Sequence, residues 1–150
     1  MSRVPRSRPR ETRIGNEEIF SIFRVDKPLK KIVEENAEHL FGKNSKLENY
    51  VRGLVRGIKR TQLRKFYNYI RSLQSQWKDK KGDQELTNED RLKLMKINIY
   101  LAYAVGRGLI PKGTLDELFN LMINRIRTYE DFWALIDVFE AIVAYHVYHE

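Results

Sequence analysis

Lys46–Lys81 reads KLENYVRGLVRGIKRTQLRKFYNYIRSLQSQWKDKK. Apolar side chains recur in it at three- and four-residue steps, from Leu47 through Tyr50, Val51, Leu54 and Ile58, and again from Leu63 through Phe66, Tyr67, Ile70, Leu73 and Trp77. That period gathers them on one face of a helix and predicts two amphipathic α-helices packed on a core. Gly53 and Gly57 weaken the first, and Thr61 offers a cap to the second, so a break is expected near Arg60. The same stretch carries eleven Lys and Arg against only Glu48 and Asp79, a net +9, where the whole chain of 150 residues carries +8. Positive charge concentrated on one segment makes a directional field suited to a polyanion such as nucleic acid.

Helical signals continue on both sides. Asp26 before Pro28 is an N-cap and first-turn pair for a helix through Phe41, which Gly42 would end. Asn88 opens a helix to about Arg107, stopped by Gly106, Gly108 and Pro111. Thr114 with Glu117 forms a capping box for Leu115–Arg127, and Thr128 with Asp131 forms another for a final helix to about Tyr148. Leu92, Met95, Ile99 and Ala102 line one face of the Asn88 helix and Leu94, Ile97, Leu101, Ala104 and Val105 another. Trp133, Ile136, Phe139, Ile142, Val143 and Tyr145 nearly encircle the last helix, so these two helices are expected at the centre, with Ile99 as buried as Phe139. Asn16–Phe23 (NEEIFSIF) fits either a short helix or an extended anchor. Met1–Arg13 holds five Arg, two Pro and one apolar side chain, Val4, too little to offset the cost of ordering. The expectation is an all-α, compact single-domain bundle of about five helices over residues 14–150, behind a flexible basic N-terminal arm over 1–13.

The absence of cysteine excludes disulfides, thiolate metal sites and thiol chemistry. No apolar run is long enough to span a membrane and the N-terminus lacks a signal-peptide core, which points to a soluble, cytoplasmic protein.

The candidate binding residues are cations. On an ideal helix Arg60, Arg64, Arg71 and Lys78 project within about 40° of one another, in a row roughly 27 Å long that can track a sugar–phosphate backbone. Arg52, Arg56 and Lys59 extend the same basic face. A merely solvated face interleaves both signs for i,i+4 pairing; here the acids stand only at the ends. A second stripe, Lys93, Lys96, Tyr100, Tyr103 and Arg107, alternates rings and cations as single-stranded RNA sites do. For its tyrosines, the margin of the core with the hydroxyl at the surface is the simpler expectation; Arg107 fits either RNA or a helix C-terminus. Catalytic groups are few. His146 and His149 stand at i,i+3 with no third ligand signalled, Asp137 and Glu140 are isolated carboxylates, and no phosphate loop or nucleophile motif occurs, so neither a metal, another cofactor nor an enzyme is expected.

Three stretches, TQLRKFYNYI (Thr61–Ile70), YLAYAVGRG (Tyr100–Gly108) and FEAIVAYHVYHE (Phe139–Glu150), occur in the order seen in one family. Over roughly Leu47–His149 the chain resembles the small, inner-filament subunit of type III-A CRISPR effector complexes, the Csm ribonucleoproteins, with Leu63 and Val147 departing from the usual Ile and Lys. The resemblance implies a non-catalytic helical subunit. It would stack in several copies beside the backbone subunit, along the channel that holds guide and target RNA. Arg64 and Arg107 match the family's cations by position; Arg52, Arg56, Lys59, Arg60, Arg71 and Lys78 rest on charge alone. Two other functions fit the residues: a basic module that docks an acidic protein, and a small helix-turn-helix DNA-binding regulator.

Overall fold

The computed structural model describes residues 10–150, with side chains from residue 15 onward. Among the described residues eight helices follow one another: α1 (Arg10–Ile22), α2 (Leu29–Glu35), α3 (Ala37–Phe41), α4 (Lys46–Leu54), α5 (Arg60–Gln76), α6 (Asn88–Gly106), α7 (Leu115–Ile123) and α8 (Tyr129–Tyr148). The fold is an all-helical bundle, as expected, but with more and shorter elements. NEEIFSIF belongs to α1, which begins at Arg10 and seats Ile19, Phe20, Ile22 and Phe23 in the core; the arm expected over 1–13 otherwise lies outside the described residues. The expected Asp26–Phe41 helix is two helices. Pro28, not Asp26, is the N-cap, and the chain breaks at Asn36, whose Nδ2 donates to Ile32 O at 2.8 Å. Asp26 instead accepts from Arg127 Nη2 at 3.0 Å and lies 3.4 Å from Arg125 Nη1.

α8 is the centre. It packs against α2, α3, α4 and α5, and buries Phe132, Leu135, Ile136, Val138, Phe139 and Ile142, as its all-round apolar pattern predicts. Phe139 meets Phe119 of α7 and Tyr67 of α5 edge to face. The start of α8 is held by Asp131, 1% exposed, whose carboxylate accepts from the amides of Lys30 (2.9 Å), Arg127 (3.0 Å) and Thr128 (3.1 Å). One carboxylate therefore satisfies the orphan donors at the starts of both α2 and α8 and joins them. The 77–87 loop runs back along the same end, with Leu86 N donating to Arg127 O and Tyr129 N to Gln84 O. Gly82 passes so close that a Cβ there would lie 2.9 Å from the Trp133 ring.

α6 is not central. It packs on α7 through Leu94, Ile97, Leu101 and Ala104, while Leu92, Met95, Ile99 and Ala102 face outward, Ile99 at 65% exposure. The second apolar stripe predicted burial, but α8 is already enclosed by four helices and α6 is left on the outside with one partner face. α6 opens at Asn88, as expected, with Thr87 before it as the N-cap, accepting from Asp90 N. The Thr114–Glu117 box is replaced by Asp116, which accepts from the amides of Gly113 and Thr114, and α7 ends at Ile123.

Phe139→Asp should therefore destabilise the protein by more than about 3 kcal/mol, through an unpaired buried charge, whereas Ile99→Asp should change stability by about 1 kcal/mol or less. Urea unfolding of both variants checks the pair; similar losses at the two sites would contradict the placement of α6.

Candidate nucleic-acid interface

The break near Arg60 is real and its cause is visible. After α4 ends at Leu54, the amides of Gly57 and Ile58 both return to Leu54 O, and Gly57 packs on Pro111 so tightly that a Cβ would stand 2.7 Å from the ring Cγ. Ile58 is buried and anchors the turn, and its carbonyl accepts from His146 Nε2 at 2.8 Å. Two more contacts from the end of α8 flank the turn, one at the start of α4 and one at the start of α5. His149 Nε2 donates to Glu48 Oε2 at 2.8 Å, and Arg60 Nε donates to Glu150 Oε1 at 2.6 Å. Glu48 also accepts from the Asn44 amide at 2.8 Å; this bond first, then His149, holds its carboxyl below the usual carboxylate range. His146 thus fastens the C-terminal end of α8 to the turn, and His149 fastens it to the start of α4.

Cations crowd the outside of this fixed turn. Arg56, Lys59 and Arg64 are exposed and make no ion pair among the described residues. Lys59 is the N-cap of α5 with no side-chain capping bond, and the first turn of α5 holds no acid. Cations at the positive end of a helix dipole oppose it by about 0.3–1 kcal/mol each, so this end costs stability and turns positive potential outward.

The expected straight row is divided. Arg52 is 3.6 Å from Glu48, Arg60 is taken by Glu150, and Arg71 lies 3.7 Å from Glu140 and over the Tyr67 ring at 5.7 Å. The Arg side of each pair is about half exposed, although Glu48 is buried, and such pairs contribute about 0–1 kcal/mol, so they leave the cations open to exchange partners. Lys78 falls beyond the end of α5 and off its line, because the helix stops at Gln76 with Trp77 as its cap. Thr61, expected to cap, is exposed inside the helix. Asp137 and Glu140 are on the surface of α8; partial burial, then the charge of Glu140, raises the Asp137 carboxyl.

Arg107 is placed elsewhere. It follows the end of α6 and lines a cleft between α5 and α6 together with Gln62, Lys65, Tyr69, Tyr100 and Tyr103. Tyr100 and Tyr103 are 43% and 65% exposed, so they are not core-margin residues filling the bundle edge. Lys93 is 3.1 Å from Gln76 Oε1 and 3.7 Å from Glu89, and belongs to a different part of α6. Lys65, Gln62 and Tyr69 were not among the candidates. Their signal is the matched spacing: Gln62, Lys65 and Tyr69 stand at i, i+3 and i+7, as do Tyr100, Tyr103 and Arg107.

No helix among the described residues is long and apolar enough to cross a membrane. A family model described as Csm2 Type III-A matches residues 34–150, starting earlier than the Leu47 at which the quoted stretches begin to match. Comparison with curated proteins and with solved structures gives no match.

Because Glu48 is held below its ordinary value, its stabilising effect is complete above about pH 4.5 and is lost as pH falls through the lowered value. Glu48→Gln should lower the Tm at neutral pH and make the decline of Tm below that pH shallower than in the wild type. An unchanged decline would detach Glu48 from the fastening of α8 to the start of α4.

Proposed function

The chain belongs to the Csm2 Type III-A family, a small subunit of the type III-A Csm complex, and on that premise we propose that it is a non-catalytic RNA-holding subunit. Copies stack along the complex beside the backbone subunit, in the cytoplasm, and each grips guide or target RNA by its sugar–phosphate backbone at the α4–α5 turn. The observation that carries this is the set Arg56, Lys59 and Arg64, exposed and without an ion pair among the described residues, around a helix start whose own first turn has no acid and where Glu150 of α8 pairs with Arg60.

Backbone holding suits such a subunit because base pairing with a guide supplies sequence recognition, leaving the protein to read charge and shape. Arginine supports it further, since the guanidinium fork meets two phosphate oxygens at once. Arg52, Arg60 and Arg71 add charge around the turn through pairs that are weak enough to exchange. The outward stripe Leu92, Met95 and Ile99 supports a protein neighbour, as an apolar strip left open on a rigid helix is more often an interface than bare surface.

Replacing Arg56, Lys59 and Arg64 together with Ala leaves the core untouched, so the Tm should stay within a few degrees while single-stranded RNA affinity falls for all sequences alike. Each phosphate contact removed should flatten the slope of log affinity against log salt by about 0.7, so three predict a change near about 2. Wild-type affinity with an unchanged slope would instead favour a module that docks an acidic protein.

A further inference from the structure

We propose that the cleft between α5 and α6 is a pocket for one unpaired nucleobase of a bound single-stranded RNA, with the adjoining phosphate held by Lys65 and Arg107. The proposal rests on the RNA-holding function and adds to it a second point of contact of a different kind.

The cleft has a volume of about 280 Å³, at the small end of ligand clefts, which suits one flat ring rather than a length of strand. Its inner wall is apolar, from Phe66 and Ala104, both buried. Its outer wall is the Tyr103 ring, whose neighbour is Arg107, with Nη1 3.3 Å from the hydroxyl and the guanidinium carbon 5.6 Å from the ring centre. A large ring left this exposed beside a cation offers a face for stacking, and an Arg plane adds to it.

The opposite side is fixed in advance. Tyr69 and Tyr100 meet edge to face at 5.0 Å, and the Tyr69 hydroxyl donates to Lys93 O at 3.2 Å. Burial, then the neighbouring Tyr100, pushes the Tyr69 hydroxyl up, so it remains a neutral donor. A wall that need not be ordered on binding loses little entropy.

Charge selects the occupant. No carboxylate lines the cleft, while Lys65 and Arg107 stand exposed at it and make no ion pair with a carboxylate among the described residues. An apolar protein side chain would use the rings and leave both cations without a role; a nucleotide uses all of them. Position agrees as well. On the helical wheel of α5, Arg64 and Lys65 lie to either side of its solvent-facing direction, about 100° apart. A strand crossing the outside of α5 from the α4–α5 turn therefore meets the cleft next.

The test uses the full chain and a short single-stranded RNA carrying 2-aminopurine, whose emission falls when it stacks. The wild type and Tyr103→Phe should both quench it. Tyr103→Ala, with an unchanged circular dichroism melt, should lose the quench and bind about 5- to 100-fold more weakly, the range for removing one base–aromatic stack. Its salt slope should not change, whereas Lys65→Ala should flatten the slope by about 0.7. An RNA with abasic positions should bind the wild type and Tyr103→Ala equally. If Tyr103→Ala keeps both affinity and quench, the pocket is wrong. Salt-dependent RNA binding by the wild type without any quench would overturn the pocket alone; no RNA binding at any salt would overturn the RNA-holding function and the pocket with it.

Discussion

α8 has only a narrow polar edge, Asp137 and Glu140, and a helix apolar on every other side must be covered there. α2, α3, α4 and α5 provide that cover, and the carboxylate of Asp131 ties its start to α2 by accepting from the Lys30 amide as well as from those of Arg127 and Thr128. At its other end His146, His149 and Glu150 reach Ile58, Glu48 and Arg60. The turn between α4 and α5 is therefore not a free loop. It is fastened to the most buried element of the fold, which is how a short, glycine-bearing connection presents its cations in a fixed arrangement.

That arrangement works against the protein's own stability. A sequence under pressure only to fold would place Asp or Glu in the first turn of α5 and a capping side chain before it. Here the cap is Lys59 and the following residues are Arg60 and Arg64. Like charges near the positive end of a dipole repel one another and the helix, a strain that a bound polyanion would relieve. The absence of interleaved acids in Lys46–Lys81 leaves Arg56, Lys59 and Arg64 without an ion pair among the described residues, while Arg52, Arg60 and Arg71 have found carboxylates.

Much of this was legible from the chain itself. Period located α5 and α8 closely, and the starts of α4 and α7, because each has one clear apolar direction or, in α8, apolar residues nearly all round. The ends of α4 and α7 fall four residues early, and the caps expected from Thr61 and from Thr114 with Glu117 did not form. α6 misled because it also carries two apolar faces; a pattern reports that a face avoids water, and cannot say whether the cover comes from this chain. The carboxylate partners of Arg60 and Arg71 were hidden for a related reason. Glu150 and Glu140 lie 90 and 69 residues away in sequence, and only the packing of α8 beside α5 brings them near. The cleft was half visible, as the Tyr100, Tyr103 and Arg107 stripe, and its other half on α5 was masked by the stronger signal of the arginines.

Amide hydrogen exchange on the full chain, with and without a single-stranded RNA at low salt, tests the RNA-holding account most directly, since it reports where the ligand sits without altering any residue. The account predicts slowed exchange over residues 55–65, at the turn and the start of α5, with no change over α2 and α3. RNA that binds while exchange over 55–65 stays the same, with protection confined to the Leu92–Ile99 side of α6 or to α2 and α3, would contradict it.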